Sequence, residues 1–146
     1  MKKARIRVRI SEKDRHYRNG MVSGATIMQL MEDAGLELSI MDSGDEGFLA
    51  GYKNVEFFHT VYSGDYIEVT GWFSRIGNTS RQVELRVHKV IEAIDGSPSA
   101  SDILNPPLLV ARATLIGVVT KVRDRGMQIE REEYPFVDEH SIETDE

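Results

Sequence analysis

Two adjacent carboxylates within an apolar segment are the residues of this chain best suited to chemistry. Glu32 and Asp33 lie among apolar residues, and Glu37 follows Asp33 by about one helical turn. Neighbouring side chains of a helix point about 100° apart, so Glu32 and Asp33 cannot act at the same point. Two carboxylates in different environments can divide the tasks of removing a proton and holding a cation. The alternative is that one or both are ordinary solvated or ion-paired helix residues.

Two small residues stand at the start of the same segment. Gly24 and Ala25 follow Ser23, whose type is preferred at the N-cap of a helix. The first helical turn has backbone N–H groups without intrahelical acceptors and a partial positive charge, which can stabilise an oxyanion. A carbonyl group could approach these amides because the side chains are small. Alternatively, Gly24 and Ala25 only permit close packing of the helix on a strand.

Several other polar residues could line a ligand pocket. His16 and Tyr17 lie just before the helix, and His59 lies at the end of a predicted strand. A lone histidine is more often structural than functional, and His88, on the polar face of a strand, is predicted to be exposed. The four histidines and the carboxylates do not show the spacing of metal ligands, so we predict no metal site.

The spacing of apolar residues predicts the elements that position these side chains. Intervals of three and four predict a helix from Val22 to Met41 that ends at Asp42-Ser43-Gly44. The stretch Asp95–Pro107, rich in Ser, Pro and Asp, is predicted to be a loop. Alternating or continuous apolar runs predict the strands, at residues 4–10, 48–58, 66–76, 81–91 and 108–119.

The order of one strand, one long helix and then four strands indicates an α+β fold. A single antiparallel sheet of five or six strands, curled around the helix, satisfies this order. One helix covers only one face of a sheet, so apolar positions on the other face would need a partner chain, and we expect a homo-oligomer. We assign residues 1–122 to this domain and residues 123–146 to an acidic C-terminal tail.

Composition excludes several classes of protein. The chain has 146 residues, a formal net charge of −6 and no cysteine. A disulfide framework and a cysteine nucleophile are therefore excluded, and the acidity argues against general nucleic-acid binding. We expect no membrane span, because no window approaches the roughly 18 continuous apolar residues required. No apolar signal core follows the basic N-terminus, so we expect a soluble, cytoplasmic protein.

Several motifs, in this order along the chain, resemble the hotdog superfamily of acyl-coenzyme A thioesterases, dehydratases and lyases. Residues 20–35 resemble the opening and acidic middle of the thioesterase helix, residues 55–65 its apolar run before a Gly-Asp turn, and residues 77–81 its Gly-x-Thr-Ser hairpin. The resemblance is closer to the 3-aminobutyryl-CoA ammonia-lyases of lysine fermentation and to β-alanyl-CoA ammonia-lyases. The segments similar to those lyases are residues 5–17, 44–47 and 52–57, and the whole resemblance covers residues 4–120.

This resemblance implies reversible elimination of ammonia from a short 3-aminoacyl-CoA, such as conversion of 3-aminobutyryl-CoA to crotonyl-CoA. Coenzyme A would be part of the substrate, with no separate cofactor, and the protein would be a dimer or a trimer of dimers.

The lyases have an acidic residue at the position of Ser23 and a small residue at the position of Glu32. Asp33 therefore matches the lyase pattern, whereas Glu32 matches the acidic position of thioesterases. The residues implied to be catalytic are Glu32, Asp33, Gly24 and Ala25.

The same resemblance implies where coenzyme A binds. The residues implied to contact the substrate are Tyr17, His59, Asn78, Thr79, Ser80 and Arg81. Arg81 or Lys89 could pair with a phosphate group, although an ordinary hairpin with exposed charges would look the same in sequence. Two other functions stay open. One is a thioesterase in which Glu32 activates water, and the other is an acyl-CoA-binding module without catalysis.

Overall fold

The computed structural model describes residues 2–129 of the chain, so the predicted acidic tail from residue 130 onward lies outside the described residues. The elements are strand β1 (Lys3–Arg9), a 3-10 turn (Glu12–Asp14), helix α1 (Gly24–Ser43), and strands β2 (Phe48–Phe57), β3 (Tyr66–Ile76), β4 (Ser80–Ala93) and β5 (Ser101–Val118). The strands form one antiparallel sheet in the order β1-β3-β4-β5-β2, which confirms the predicted fold. Among the described residues, no helix meets the length and apolarity that crossing a bilayer demands.

Helix α1 begins at Gly24, two residues after the predicted start at Val22, and ends within the predicted stop at Asp42-Ser43-Gly44. The Ser23 side chain accepts a hydrogen bond from the Ala25 amide at 3.1 Å and so acts as the predicted N-cap. At the other end, Gly44 adopts a φ of 67°, the left-handed conformation that glycine tolerates best at a helix C-cap. One face of the helix is buried against the sheet, through Ile27, Met31, Ala34, Gly35, Leu38 and Met41.

The inner face of the sheet supplies the other half of the core. Side chains in β3 and β4 alternate between buried and partly exposed positions, as their period of two predicts, whereas β5 is buried at nearly every position from Val110 to Leu115. The buried members include Ile67, Val69, Val83, Leu85, Val87 and Leu115. The outer face carries mostly polar groups, with the Arg86 guanidinium 5.2 Å from the Trp72 ring centroid. The exposed aromatic side chains of the sheet instead concentrate along β2 and the residue that follows it, at Phe48, Phe57 and Phe58.

Strand β5 begins earlier than the sequence predicts, so the prediction of a loop throughout Asp95–Pro107 was wrong. Residues 101–103 pair with residues 91–93 of β4, and these pairs extend the hairpin. The register then shifts, so that residues 104–107 stand opposite Val90 alone. Two prolines lie in this bulge, where a missing N–H breaks no regular ladder bond. Cross-strand pairing therefore overrides the local composition.

A buried ion pair fixes the turn that leads into β3. Lys89 Nζ lies 3.2 Å from Asp65 Oδ2, and the two side chains are 3% and 1% exposed. The Asp65 carboxylate also accepts hydrogen bonds from the amides of Tyr62 and Ala93, at 2.8 and 2.9 Å. Glu92 is a second partner of Lys89, at 3.1 Å. Lys89 is therefore held inside the fold by carboxylates and is not presented to a phosphate at the surface.

The first residues of the predicted tail pack against the C-terminal end of α1. The Arg125 amide donates to the Ser43 carbonyl at 2.8 Å, and the Gln128 and Ile129 amides donate to the Met41 carbonyl at 2.9 and 3.1 Å. Ile129 also contacts the hydrophobic core. The sequence predicts little packing from residue 121 onward, because a polar stretch gives no periodic signal, and for Arg125, Gln128 and Ile129 this prediction is wrong. The division of the chain at residue 122 stays a prediction.

Candidate active site

The residues that the sequence singles out lie in three places along α1. Tyr17, Gly24 and His59 line one cleft at the N-terminal end of the helix. Glu32 and Asp33 lie in its middle. The hairpin residues 78–81 lie near its C-terminal end, because Arg81 Nε is 3.5 Å from the Asp42 carboxylate. A helix of 20 residues is about 30 Å long, so one protomer does not bring the two ends together.

The cleft at the N-terminal end of α1 has apolar walls and a polar rim. Its volume is about 380 Å³, and the exposed aromatic rings of Phe57 and Phe58 form one wall. Tyr17 and His59 are exposed at the rim. A Cβ atom on Gly24 would lie 3.1 Å from the Phe57 ring, so the missing side chain makes room for that ring. This contact is the packing role weighed above for Gly24.

The first turn of α1 leaves one amide for a ligand. Ser23 accepts hydrogen bonds from three of the first four helical N–H groups, namely Ala25 through its side chain and Thr26 and Ile27 through its carbonyl. Within residues 2–129, the Gly24 N–H has no hydrogen-bond acceptor. Of the two amides that the sequence suggests for an oxyanion, the Gly24 amide is thus unoccupied and the Ala25 amide is used by the cap.

The two central carboxylates occupy different environments. Glu32 is half-buried and borders a small apolar cavity between α1 and the sheet. Asp33 is exposed and lines an open cleft together with Glu37 and Glu46. The Glu37 carboxylate accepts a hydrogen bond of 3.4 Å from the Arg5 amide. The structure therefore brings Glu32 and Asp33 to the same stretch of helix but directs them to different surroundings.

Tyr52 is a member of this site that the sequence analysis missed. Its hydroxyl group donates a 3.0 Å hydrogen bond to the Met28 carbonyl, one helical turn before Glu32. Burial, together with the negative charges of Glu32 and Asp33, raises the pKa of Tyr52 to about 12. Tyr52 is therefore a neutral hydrogen-bond donor beside two carboxylates. Its position on a strand facing the helix was the one signal that could have indicated it.

The hairpin between β3 and β4 exposes some of the residues predicted to contact coenzyme A, but it buries Arg81. Arg81 is 9% exposed, and its Nη1 donates to the carbonyls of Gly77 and Ser80 at 3.2 and 3.1 Å. Its Nη2 lies 3.9 Å from the Asp124 carboxylate. Arg81 thus has its partners within the chain, and it is not one of the exposed charges of the alternative interpretation.

The other three residues of the hairpin are closer to the surface. Asn78 and Ser80 are exposed and accessible to a ligand. Thr79 is half-buried, and its carbonyl accepts a hydrogen bond of 2.9 Å from the Val119 amide. In the part of the chain that the structure describes, no three histidine or carboxylate side chains group as metal ligands. The expectation of a metal-free site stays a prediction.

Comparison with known proteins identifies relatives of two kinds. The thioesterase superfamily model matches residues 19–92. A 3-aminobutyryl-CoA ammonia lyase from Acetoanaerobium sticklandii is 44% identical over 124 residues, which cover 84% of this chain and 98% of that protein. The solved β-alanyl-CoA:ammonia lyase from Clostridium propionicum is 33% identical with a TM-score of 0.83, over 87% of this chain and 91% of that one.

More distant solved structures share the fold. A hexameric hotdog fold thioesterase of Campylobacter jejuni is 21% identical with a TM-score of 0.66. The match covers 84% of this chain and 86% of that one. At this level of identity the likeness extends to the architecture alone, a helix against an antiparallel sheet.

The environment of Tyr52 leads to a prediction about its ionisation. Because the folded pKa is near 12 and the ordinary value is 10, one tyrosine should ionise near pH 12 in a spectrophotometric titration of tyrosinate. Between these two pH values the folded chain holds a proton that the unfolded chain has lost. The free energy of unfolding should therefore fall as pH rises through that window. Tyr52→Phe should remove this late transition, and its persistence in the variant would contradict the assignment.

Proposed function

The chain belongs to the thioesterase superfamily of hotdog proteins and, within it, to the family of 3-aminobutyryl-CoA and β-alanyl-CoA ammonia lyases, and we propose that it is itself a carbon–nitrogen lyase. Its reaction is the reversible elimination of ammonia from 3-aminobutyryl-CoA to give crotonyl-CoA. Identity of 44% along nearly the full length of the lyase is the observation that carries this proposal. The proposal includes a cytoplasmic location, with which the absence of cysteine is compatible.

The reaction places three demands on the protein. A base removes the proton from C2, a donor stabilises negative charge on the thioester oxygen, and a polar group holds the amine as the C3–N bond breaks. In the reverse direction, ammonia adds to C3 and the proton returns to C2. The Gly24 N–H is the candidate donor to the thioester oxygen, because it is unoccupied and lies in the first helical turn.

The carboxylates of α1 are the candidates for the proton and the amine. Glu32 is our first choice, because it is half-buried beside an apolar cavity that could hold part of the acyl chain. Asp33 is exposed and is the second choice. The Tyr52 hydroxyl donates its one hydrogen to the Met28 carbonyl, so toward the substrate it could accept a hydrogen bond from the ammonium group without adding a third negative charge. No cofactor is required, since coenzyme A enters as part of the substrate.

The distribution of these groups along α1 supports a homo-oligomer. The Gly24 amide lies at one end of the helix and the hairpin of Asn78 and Ser80 lies at the other. Within residues 2–129, no strand pairs with the outer edge of β2, which also carries the exposed Phe48. Antiparallel pairing of two β2 edges would place the N-terminal end of one α1 beside the C-terminal end of the other. We propose a dimer of this kind, alone or within a trimer of dimers.

The proposed reaction is tested with crotonyl-CoA and ammonium. We expect the enoyl absorbance to fall at a rate that depends on ammonium concentration, because ammonia adds across the double bond. Release of free thiol from the same substrate would instead indicate a thioesterase. Binding of crotonyl-CoA without loss of absorbance or release of thiol would indicate a non-catalytic binding module, and either result would refute the lyase.

Separate amide substitutions distinguish the two carboxylates. Glu32→Gln or Asp33→Asn should lower kcat at least tenfold, because general acid–base catalysis contributes about 10²–10⁴-fold. Asp102→Asn, at an exposed position of β5, is the matched control and should leave kcat unchanged. Circular dichroism checks that each variant is folded. If neither Glu32→Gln nor Asp33→Asn reaches a tenfold loss, the assignment of the base to α1 is wrong.

The proposed assembly is tested by light scattering after size exclusion. The wild-type chain should have at least twice the protomer mass of 16.5 kDa. Phe48→Lys should shift the population toward the monomer and reduce turnover, because a charge on an edge strand opposes pairing. Ile103→Lys, which replaces a side chain 75% exposed on β5, is the control and should leave the mass unchanged. A wild-type monomer with full turnover would exclude a site shared between protomers.

A further inference from the structure

The cavity beside Glu32 is a small, partly open apolar pocket with a volume of about 20 Å³. It lies between the middle of α1 and the sheet. Its walls include Gly35, Leu36, Phe73, Leu115 and Gly117, with the Glu32 side chain at its border. A void needs about 10–15 Å³ to hold one water molecule, so this cavity has room for a small group.

Two glycines keep this cavity open. A Cβ atom on Gly35 would lie 3.2 Å from Leu115 Cδ1, and a Cβ atom on Gly117 would lie 3.6 Å from Leu115 Cδ2. Gly35 is buried in the interior of α1, where glycine is less favourable than alanine. A methyl group at either position would therefore enter the space around Leu115 and reduce the cavity.

The chemistry of the substrate gives this space a use, provided that the proposed function holds. 3-Aminobutyryl-CoA differs from β-alanyl-CoA by one methyl group on C3, the carbon that also bears the amine. A site for this substrate therefore needs a polar group for the amine directly beside a small apolar space. Glu32 and the cavity that it borders have this arrangement.

We infer that this space, defined by Glu32, Gly35, Leu36, Phe73, Leu115 and Gly117 and named here the C3-methyl cavity, receives the C3 methyl group of the acyl chain. It makes the lyase selective for a four-carbon acyl group over a three-carbon one. It also disfavours acyl groups with a further carbon, because the cavity is small. Gly35 and Gly117 are then specificity-determining residues, and the carboxylate of Glu32 lies next to the amine.

The test compares ammonia addition to crotonyl-CoA and to acryloyl-CoA, which lacks the methyl group, after subtraction of the uncatalysed rates. Gly35→Ala and Gly117→Ala should each lower the ratio of kcat/KM for crotonyl-CoA over acryloyl-CoA at least tenfold, because one methyl group in an apolar pocket changes this ratio by about 10- to 200-fold. Ala100→Val, which adds carbon atoms at an exposed position between β4 and β5, is the matched control, and the ratio should stay constant.

The unaltered chain supplies an independent measurement. 2-Pentenoyl-CoA, with one more carbon than crotonyl-CoA, should react at least tenfold more slowly in kcat/KM. Equal rates for these two thioesters would overturn the inference even if Gly35→Ala failed to fold. Cooperative thermal unfolding identifies a folded variant. If Gly35→Ala does not unfold cooperatively, the kcat/KM ratio of Gly117→Ala alone tests the inference.

The outcomes separate this inference from the proposed function. If the wild-type chain adds ammonia to neither acryloyl-CoA nor crotonyl-CoA, the proposed function fails and the C3-methyl cavity fails with it. If the wild-type chain adds ammonia but both alanine variants lower the two rates equally, the lyase stands and only the inference is overturned. A selective loss with crotonyl-CoA supports both.

Discussion

Helix α1 can bury only one of its faces against a single sheet, and the rest of the structure follows from that constraint. The buried face carries Ile27, Met31, Ala34, Leu38 and Met41, none more than 4% exposed. Complete burial of a side chain such as that of Ile, Leu or Met contributes about 1.5–3 kcal/mol to the stability of the fold. This face therefore holds the sheet in its curled shape. The carboxylates of the helix lie on its flanks. One flank is partly covered by the sheet, and the other is open to solvent. Those flanks offer a carboxylate both protection from water and access to a ligand.

The contrast between Glu32 and Asp33 follows from this geometry. The two residues differ by one position, yet one is half-buried beside an apolar wall and the other is exposed. Tyr52 adds a hydroxyl group that stays protonated because burial and nearby negative charge disfavour its ionisation. A site with two carboxylates therefore gains a third polar side chain without gaining a third negative charge. This arrangement limits electrostatic repulsion among the polar groups on this stretch of α1.

The sequence predicts most of the fold because most of its signals are local. The period of the apolar residues, the Ser23 cap and the Gly44 terminus predict α1, and alternation predicts the strands. The first residues of β5 escaped prediction because Ser101–Ile103 become strand through pairing with β4, which local composition does not record. The packing of Ile129 on the core was missed for the same reason.

The site was predicted less completely than the fold. The carboxylates and the helix start could be named from residue types, and the structure places them on one helix. The burial of Arg81, the use of the Ala25 amide by Ser23 and the approach of Tyr52 to Met28 each depend on contacts between residues. The burial of Arg81 and the approach of Tyr52 to Met28 bring together residues that are distant in sequence. No rule of residue spacing predicts such contacts. Residue types thus indicate which chemistry is available, and the fold decides which groups are free to take part.

The two edges of the sheet differ in a way that bears on how far an assembly can grow. Along β1, every second side chain is an exposed arginine, whereas β2 exposes aromatic rings. Like charges facing each other discourage one β1 edge from adding to another, and β2 has no such barrier. A sheet with only one edge strand able to pair can add one neighbour across a two-fold axis. The resulting dimer then has no further edge for pairing. The arginines of β1 thus protect the chain against open-ended, fibre-like growth, even though its other edge is suited to pairing.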